Sequence, residues 1–343
     1  GSACDWAARA GLLNMLKYLR GEQVTVERSE LSWPRYPGSS FPWGKMTCAW
    51  AALNGDLKML QWLRSQPKPC PWNEKTCAFA AEKGHLHVLQ WARSQAEPCP
   101  WNWETCASAA ANGHLPVLQW ARSQPEPCPW DRATCCRAAE GGHLEVLQWA
   151  RAQPRPCPWD ERVCNWATRN GHLHVLQWAR SQQPESCPWD VEACIWAVRN
   201  GHVNVLEWAL SQTELLPWGR DVSAAAASNG QLQVLKWLRS RAIPCPWDAE
   251  TCANAASNGH LHVLQWARAQ PEPCPWNART CVLAAEGGHL AVLQWAREQQ
   301  PACPWNKRVC AYAAAAGQLR FLTHLFLSFS IFFYLFLSFS IFF

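Results

Sequence analysis

The chain has 343 residues with 25 Trp, 25 Pro and 19 Cys against 3 Met and 4 Tyr, a skew that an ordinary mixed core does not produce and that marks a copied unit. Hydrophobic residues at 49% and charged residues at 17% exclude a disordered chain and supply apolar surface for a long core. A net charge of +5 spread over this length lacks a basic footprint, so no nucleic acid is expected as a partner.

The chain begins at Gly1 with no charged leader and apolar run behind it, so no secretory signal is read. The cysteines are therefore expected as reduced thiols and the location as cytoplasmic. The first unit carries Cys4, Gly11 and a Leu-Lys-Tyr-Leu-Arg run ending at Arg20. Cys48 follows Cys4 by 44 positions instead of 29, and the excess falls at 21–41, with Trp33, Pro34, Tyr36 and Pro37. That stretch is read as a projecting loop or a decayed repeat.

From there a Pro-Trp pair sets the period, at Trp43, Trp72, Trp101, Trp130, Trp159, Trp189, Trp218, Trp247, Trp276 and Trp305. Successive gaps are 29 residues except the 30 between Trp159 and Trp189. One unit reads CPWNEKTCAFAAEKGHLHVLQWARSQ from Cys70, and its local signals divide it into two helices. Pro69 and Pro71 enforce an extended entry, and Asn73 caps the first helix, with Asp131, Asp160, Asp190 and Asp248 in the same position elsewhere. Trp72 at N′ and Cys77 at N4 occupy the positions of a hydrophobic staple. Cys77, Ala80 and Ala81 form a stripe of small residues that lets a neighbouring helix approach closely. Gly84 ends the helix. The segment from His85 to Gln95 is apolar on most sides, with Leu86, Val88, Leu89, Trp91 and Ala92. Two short helices per 29 residues cannot bury their faces alone, which predicts an all-α solenoid of about eleven stacked helix pairs.

These residues are similar to the ankyrin repeat. The Gly-His-Leu of Ala-Ala-x-x-Gly-His-Leu recurs at Gly84, Gly113, Gly142, Gly171, Gly259 and Gly288, with Val203 in place of Leu after Gly201. The match covers 1–325 but departs from the family in its 29-residue period and in a Pro-Cys-Pro-Trp turn where the family carries a finger hairpin. The resemblance implies an ankyrin-like solenoid that binds a protein partner on the concave, first-helix face.

Two Cys per unit, seven residues apart as in Cys70 and Cys77, invite a metal or disulfide reading. Phe41 and Leu216 replace the first of them, which marks an apolar slot, and zinc motifs usually space a ligand pair by two to four residues. Equivalent cysteines of neighbouring units would lie about 8 to 10 Å apart, beyond bridging distance. Small buried filler is the reading taken, with a Cys-rich metal-binding or redox-responsive protein as the alternative. The His after Gly is expected to hydrogen-bond between neighbouring turns. The series Arg64, Arg93, Arg122, Arg151, Arg180, Arg239, Arg268 and Arg297 is expected as a solvated ladder near helix ends.

Comparison among the units shows where packing does not dictate the residue. Opposite the Cys-Ala-Ala stripe lie the positions two before, two after and five after that Cys, and they are chemically diverse while their neighbours are nearly fixed. The expected partner-binding residues on this face are Arg162, Trp166, Arg169, Trp196 and Arg199, with Phe79 and Arg137, because Trp and Arg dominate interface hot spots. Guanidinium stacking on indole is expected there, and packing of Trp166 and Trp196 under a Pro-rich turn is the other reading. No catalytic constellation, cofactor, metal site or small-molecule substrate is read, and the chain is expected not to be an enzyme. The segment 326–343 is uncharged and of nearly bilayer-spanning length, yet it is a tandem FLSFSIFF repeat. It is read as translated low-complexity sequence or as the anchor of a membrane-tethered adaptor.

Overall fold

The computed structural model describes residues 3–22, 24, 41–182, 191–212, 219–315 and 317, and every regular element among them is an α-helix, 21 in all. The chain divides into two compact units, residues 1–189 and 190–343. The first unit holds six helix pairs: α1 (Ala3–Arg9) with α2 (Leu13–Leu19), α3 (Thr47–Leu53) with α4 (Leu57–Arg64), α5 (Glu74–Glu82) with α6 (Leu86–Arg93), α7 (Trp103–Ala111) with α8 (Leu115–Arg122), α9 (Arg132–Glu140) with α10 (Leu144–Arg151), and α11 (Arg162–Arg169) with α12 (Leu173–Ser181). The second holds α13 (Val191–Asn200) with α14 (Val203–Gln212), α15 (Arg220–Ser228) with α16 (Leu232–Arg239), α17 (Ala249–Ser257) with α18 (Leu261–Arg268), α19 (Ala278–Glu286) with α20 (Leu290–Glu298), and then α21 (Lys307–Ala315). The expected all-α stack of helix pairs is thus the observed fold. The segment 326–343 and nearly all of 21–41 lie outside the described residues, among which no helix is long and apolar enough to cross a membrane.

Five first helices, α5, α7, α9, α17 and α19, start on an Asn or Asp cap. Asn73 is extended, at φ −146°, and its side chain accepts a hydrogen bond from the Lys75 N–H at 3.1 Å, while its own N–H reaches Thr76 Oγ1. The helix ends because Gly84 turns left-handed, at φ +72°, where a side chain on any other residue would be strained. The small residues then decide the packing. Cys77, Ala80 and Ala81 are buried, and the first helices of successive pairs approach one another more closely than the second helices do. Each second helix buries Val88, Leu89 and Ala92 or their equivalents between neighbours, leaves Gln90 exposed and half-buries Trp91. Burying a Leu such as Leu89 contributes about 1.5 to 3 kcal/mol.

The arginine series differs from its expectation. Arg93 is half-buried, donates to the Cys99 carbonyl at 2.9 Å and lies 4.2 Å from the centroid of Trp101 in the next Pro-Trp turn. The same clamp recurs from Arg64 onto Cys70 and Trp72, and from Arg122, Arg151, Arg239, Arg268 and Arg297 onto their own Cys and Trp. The guanidinium is amphipathic in use: its edge satisfies a carbonyl and its face covers an indole, so it is structural instead of solvated. Trp72 in turn meets Trp91 edge-on at 6.1 Å, which gives the Pro-Trp residue more to do than staple a helix entry.

The histidines tie neighbouring units. His85 Nε2 lies 3.1 Å from the Leu53 carbonyl, His114 Nε2 is 3.0 Å from that of Glu82, and His143, His172, His260 and His289 repeat the contact 32 residues back. Each ring also fills the space over the preceding unit's glycine. A Cβ on Gly84 would come within 2.7 Å of His114 Nδ1.

Candidate functional site: the first-helix face

The positions two before, two after and five after the first-helix Cys all reach the surface, fully or in part. Lys75 is exposed, Phe79 and Glu82 are half-buried, Arg137 is exposed, and Trp166 is half-buried beside exposed Arg162 and Arg169. In the second unit Trp196 is half-buried and Arg199 exposed. The cause is helical geometry: at 100° per residue these positions oppose the Cys-Ala-Ala stripe that the neighbouring first helices cover.

Two of the expected cation–π pairs form within a single helix, at i, i+3. The Arg169 guanidinium lies 5.1 Å from the Trp166 ring and that of Arg199 lies 5.4 Å from Trp196. Arg137, Arg162, Trp166 and Arg169 share the face of adjacent helices α9 and α11 in the first unit, whereas Trp196 and Arg199 belong to the second unit. Phe79 stands apart on α5, where it packs against Trp50 with centroids 5.3 Å apart. The charges on this face are substantially paired. Arg162 donates to Asp160 at 2.8 Å and holds its carboxyl below the usual carboxylate range, and Arg137 meets Glu140 at 2.7 Å. Lys75 reaches Glu104 of the next helix at 3.4 Å, and Arg279 reaches Glu250 at the same distance.

The structure adds residues that the comparison among units had passed over. Trp6 and Trp50 occupy the position two after Cys4 and Cys48, and Tyr312 the same position after Cys310. Trp6 is 45% exposed and Tyr312 42% exposed, and Arg9 stacks 4.9 Å from the Trp50 ring. Extending the same register to the end repeats of the chain was the signal that would have found them. The aromatic series is therefore Trp6, Trp50, Phe79 and Trp166 in the first unit, and Trp196 and Tyr312 in the second.

On the opposite side of the first helix the cysteines are buried as expected, but they are also paired. Cys77 directs its Sγ at the Cys99 carbonyl, 3.8 Å away, which sets the two cysteines against each other. The separation is 22 residues, the 29-residue period less the seven within a unit. The same contact recurs from Cys48 to Cys70, Cys106 to Cys128, Cys135 to Cys157 and Cys252 to Cys274, and Cys281 and Cys303 are neighbours that perturb each other's titration. Cys164, at the same place on α11, is disulfide-bonded, which departs from the expectation of uniformly reduced thiols. No group of three or more His, Cys, Asp or Glu side chains fit to hold a metal ion occurs among the described residues.

The architecture defines a helical-repeat protein. No family model matches the sequence, and no curated protein matches it. Among solved structures it is similar to the pentatricopeptide repeat protein PPR10 in complex with an 18-nt psaJ RNA element, at 11% identity and a TM-score of 0.37, covering 94% of this chain and 57% of that one. A cysteine-to-serine variant of the same complex gives the same values. The chain thus spans less than two thirds of those neighbours' length, and a likeness of this degree carries no argument about a ligand. One expectation is nonetheless corrected: a net charge of +5 does not by itself exclude nucleic acid, and that exclusion is withdrawn. The physical reason is that net charge is a sum over the chain, and it hides local cations such as Arg137, Arg162, Arg169 and Arg199, all exposed on one kind of face.

Proposed function

We propose that this chain is a non-enzymatic recognition scaffold of ankyrin-like repeats that docks a protein partner on the first-helix face. The observation that carries the reading is the contrast within each first helix: the Cys-Ala-Ala side is buried and nearly constant, while the opposite side reaches the surface fully or in part and differs in every repeat. A stack that is ordered before it binds loses little entropy on docking. The anchors are Trp166 with Arg169 in the first unit and Trp196 with Arg199 in the second, supported by Arg162, Arg137 and Phe79. Carboxylates interleave with these cations at Glu82, Glu104, Glu140 and Asp160, and such alternation suits the mixed charges of a protein surface. An intracellular location belongs to the same reading.

The test is a pull-down from the source cell with the full chain, run beside Trp166→Ala combined with Trp196→Ala. A protein captured by the parent and lost from the variant is expected, with affinity weakened by about 2 kcal/mol or more, roughly 30-fold in Kd, and helicity unchanged. A large loss of thermal stability would put both indoles in the core instead of on a docking surface. Capture that survives the double substitution, or that disappears on ribonuclease treatment, would overturn the reading.

A further inference from the structure

Small size alone does not account for the paired cysteines. The adjacent stripe positions are met by Ala in most repeats, as at Ala80 and Ala81, yet Cys stands at both facing positions of six described repeats at once. The turn brings them together. Cys99 N–H donates to the Ala92 carbonyl, Arg93 holds the Cys99 carbonyl, and Cys99 Sγ reaches back to the Asn73 carbonyl at 3.5 Å, so the second thiol is fixed beside the first helix of the preceding repeat. Where Ser223 replaces the first-helix Cys, its Oγ lies 3.2 Å from Cys245 Sγ, so the juxtaposition outlasts the change of residue. At Cys164 the equivalent thiol is already disulfide-bonded. The residue at the partner position of that repeat in the sequence, Cys187, lies outside the described residues.

We propose that each Cys pair 22 residues apart is an oxidative modification site, at which a small-molecule disulfide converts the two thiols into a disulfide joining the first helix of one repeat to the Pro-Cys-Pro-Trp turn that follows it. The exchange balances in two displacements. One Cys thiolate attacks the small disulfide, forming a mixed disulfide and expelling one thiolate; the second Cys attacks the protein-bound sulfur and expels the other. The two protons lost by the protein end on the two small-molecule thiols, so the protein pair is oxidised as the small disulfide is reduced. The closed repeat slows the reaction. Cys77 and Cys99 are essentially inaccessible, and hydrogen bonding to Cys99 together with burial holds the Cys77 thiol well above its ordinary range, where little thiolate exists. Exchange therefore proceeds while a repeat is forming or locally opened, and the closed fold then protects whichever state was set. The bond would clip a loop of 22 residues in each repeat and narrow its unfolded ensemble.

The test uses the full chain, reduced and then held with glutathione disulfide from room temperature to the onset of melting. Remaining thiols are alkylated and cross-linked peptides mapped by mass spectrometry. Cross-links of Cys77 to Cys99, Cys106 to Cys128, Cys135 to Cys157 and Cys252 to Cys274 are expected, with a Tm above that of the same sample kept in dithiothreitol. Cys245 is expected to stay uncross-linked in the parent and to gain a 22-residue cross-link in Ser223→Cys. Cross-links at seven or 29 residues, glutathione adducts without cross-links, or thiols that remain alkylatable throughout the melt would each overturn the proposal. These outcomes concern the buried side of the first helix, so they are independent of whether the exposed side binds a protein.

Discussion

At the scale of single residues, the same amino acid carries different work according to what faces it. Gly84 is fixed twice, by a left-handed backbone and by the His114 ring that occupies the place of its missing Cβ. Gly84→Ala is therefore expected to cost about 1 to 2 kcal/mol from backbone strain alone, and more from the displaced imidazole. Chemical denaturation of the variant checks this, and an unchanged midpoint would remove the ring from the argument. The two ends of this contact differed in legibility. Gly-His-Leu signals a helix junction in one repeat, and the histidine bond to a neighbouring turn was foreseeable. That the bond reaches a carbonyl 32 residues earlier needs the stack itself. The arginines show the opposite case: a charged residue in the last helical turn reads as solvated, and only the position of the next repeat's tryptophan turns it into a packing group.

At the scale of the helix, composition predicted behaviour well. The Cys-Ala-Ala register, with Thr168, Val198 and Ser223 as its departures in α11, α13 and α15, identified the close-packed side of the first helices, and by geometry it also identified the opposite side that carries the candidate anchors. Filling that stripe is expected to harm the stack without touching the anchors. Ala80→Leu on α5 would overpack the contact with α3 and α7, at about 1 to 3 kcal/mol, while leaving partner capture intact at temperatures where the variant stays folded. Thermal melting and the pull-down together check it; loss of capture without loss of stability would move the docking surface to the buried side. What helix periodicity could not supply was the 22-residue cysteine pairing. The second cysteine lies in a turn, where no period applies, and its direction is set by hydrogen bonds to the cap of α5 and to α6 that only the folded repeat aligns.

At the scale of the whole molecule, one histidine in each unit makes stability depend on pH. Burial, foremost, holds His85 and His260 below the ordinary imidazole value of 6.5, against the hydrogen bonds to the Leu53 and Ser228 carbonyls, with His87 and His262 as like-charged neighbours once protonated. A lowered folded-state value means that the native chain favours the neutral ring. Stability is then complete above pH 6.5 and is lost as the pH falls through that value toward the lowered one. The chain already contains the remedy: Gln231 occupies a histidine position and donates to the Arg199 carbonyl at 3.0 Å without titrating. Replacing His85 and His260 by Gln is expected to flatten the dependence of Tm on pH between 7.5 and 5, and an unchanged slope would assign it to other groups. The reach of these contacts has a consequence for how the protein is made. In the regular repeats the hydrogen bonds linking neighbouring pairs span no more than 32 residues, so each pair has all its amino-terminal partners as soon as it leaves the ribosome. Such a chain has low contact order and can consolidate in the direction of synthesis, one repeat at a time, with the nascent end always templated on finished structure.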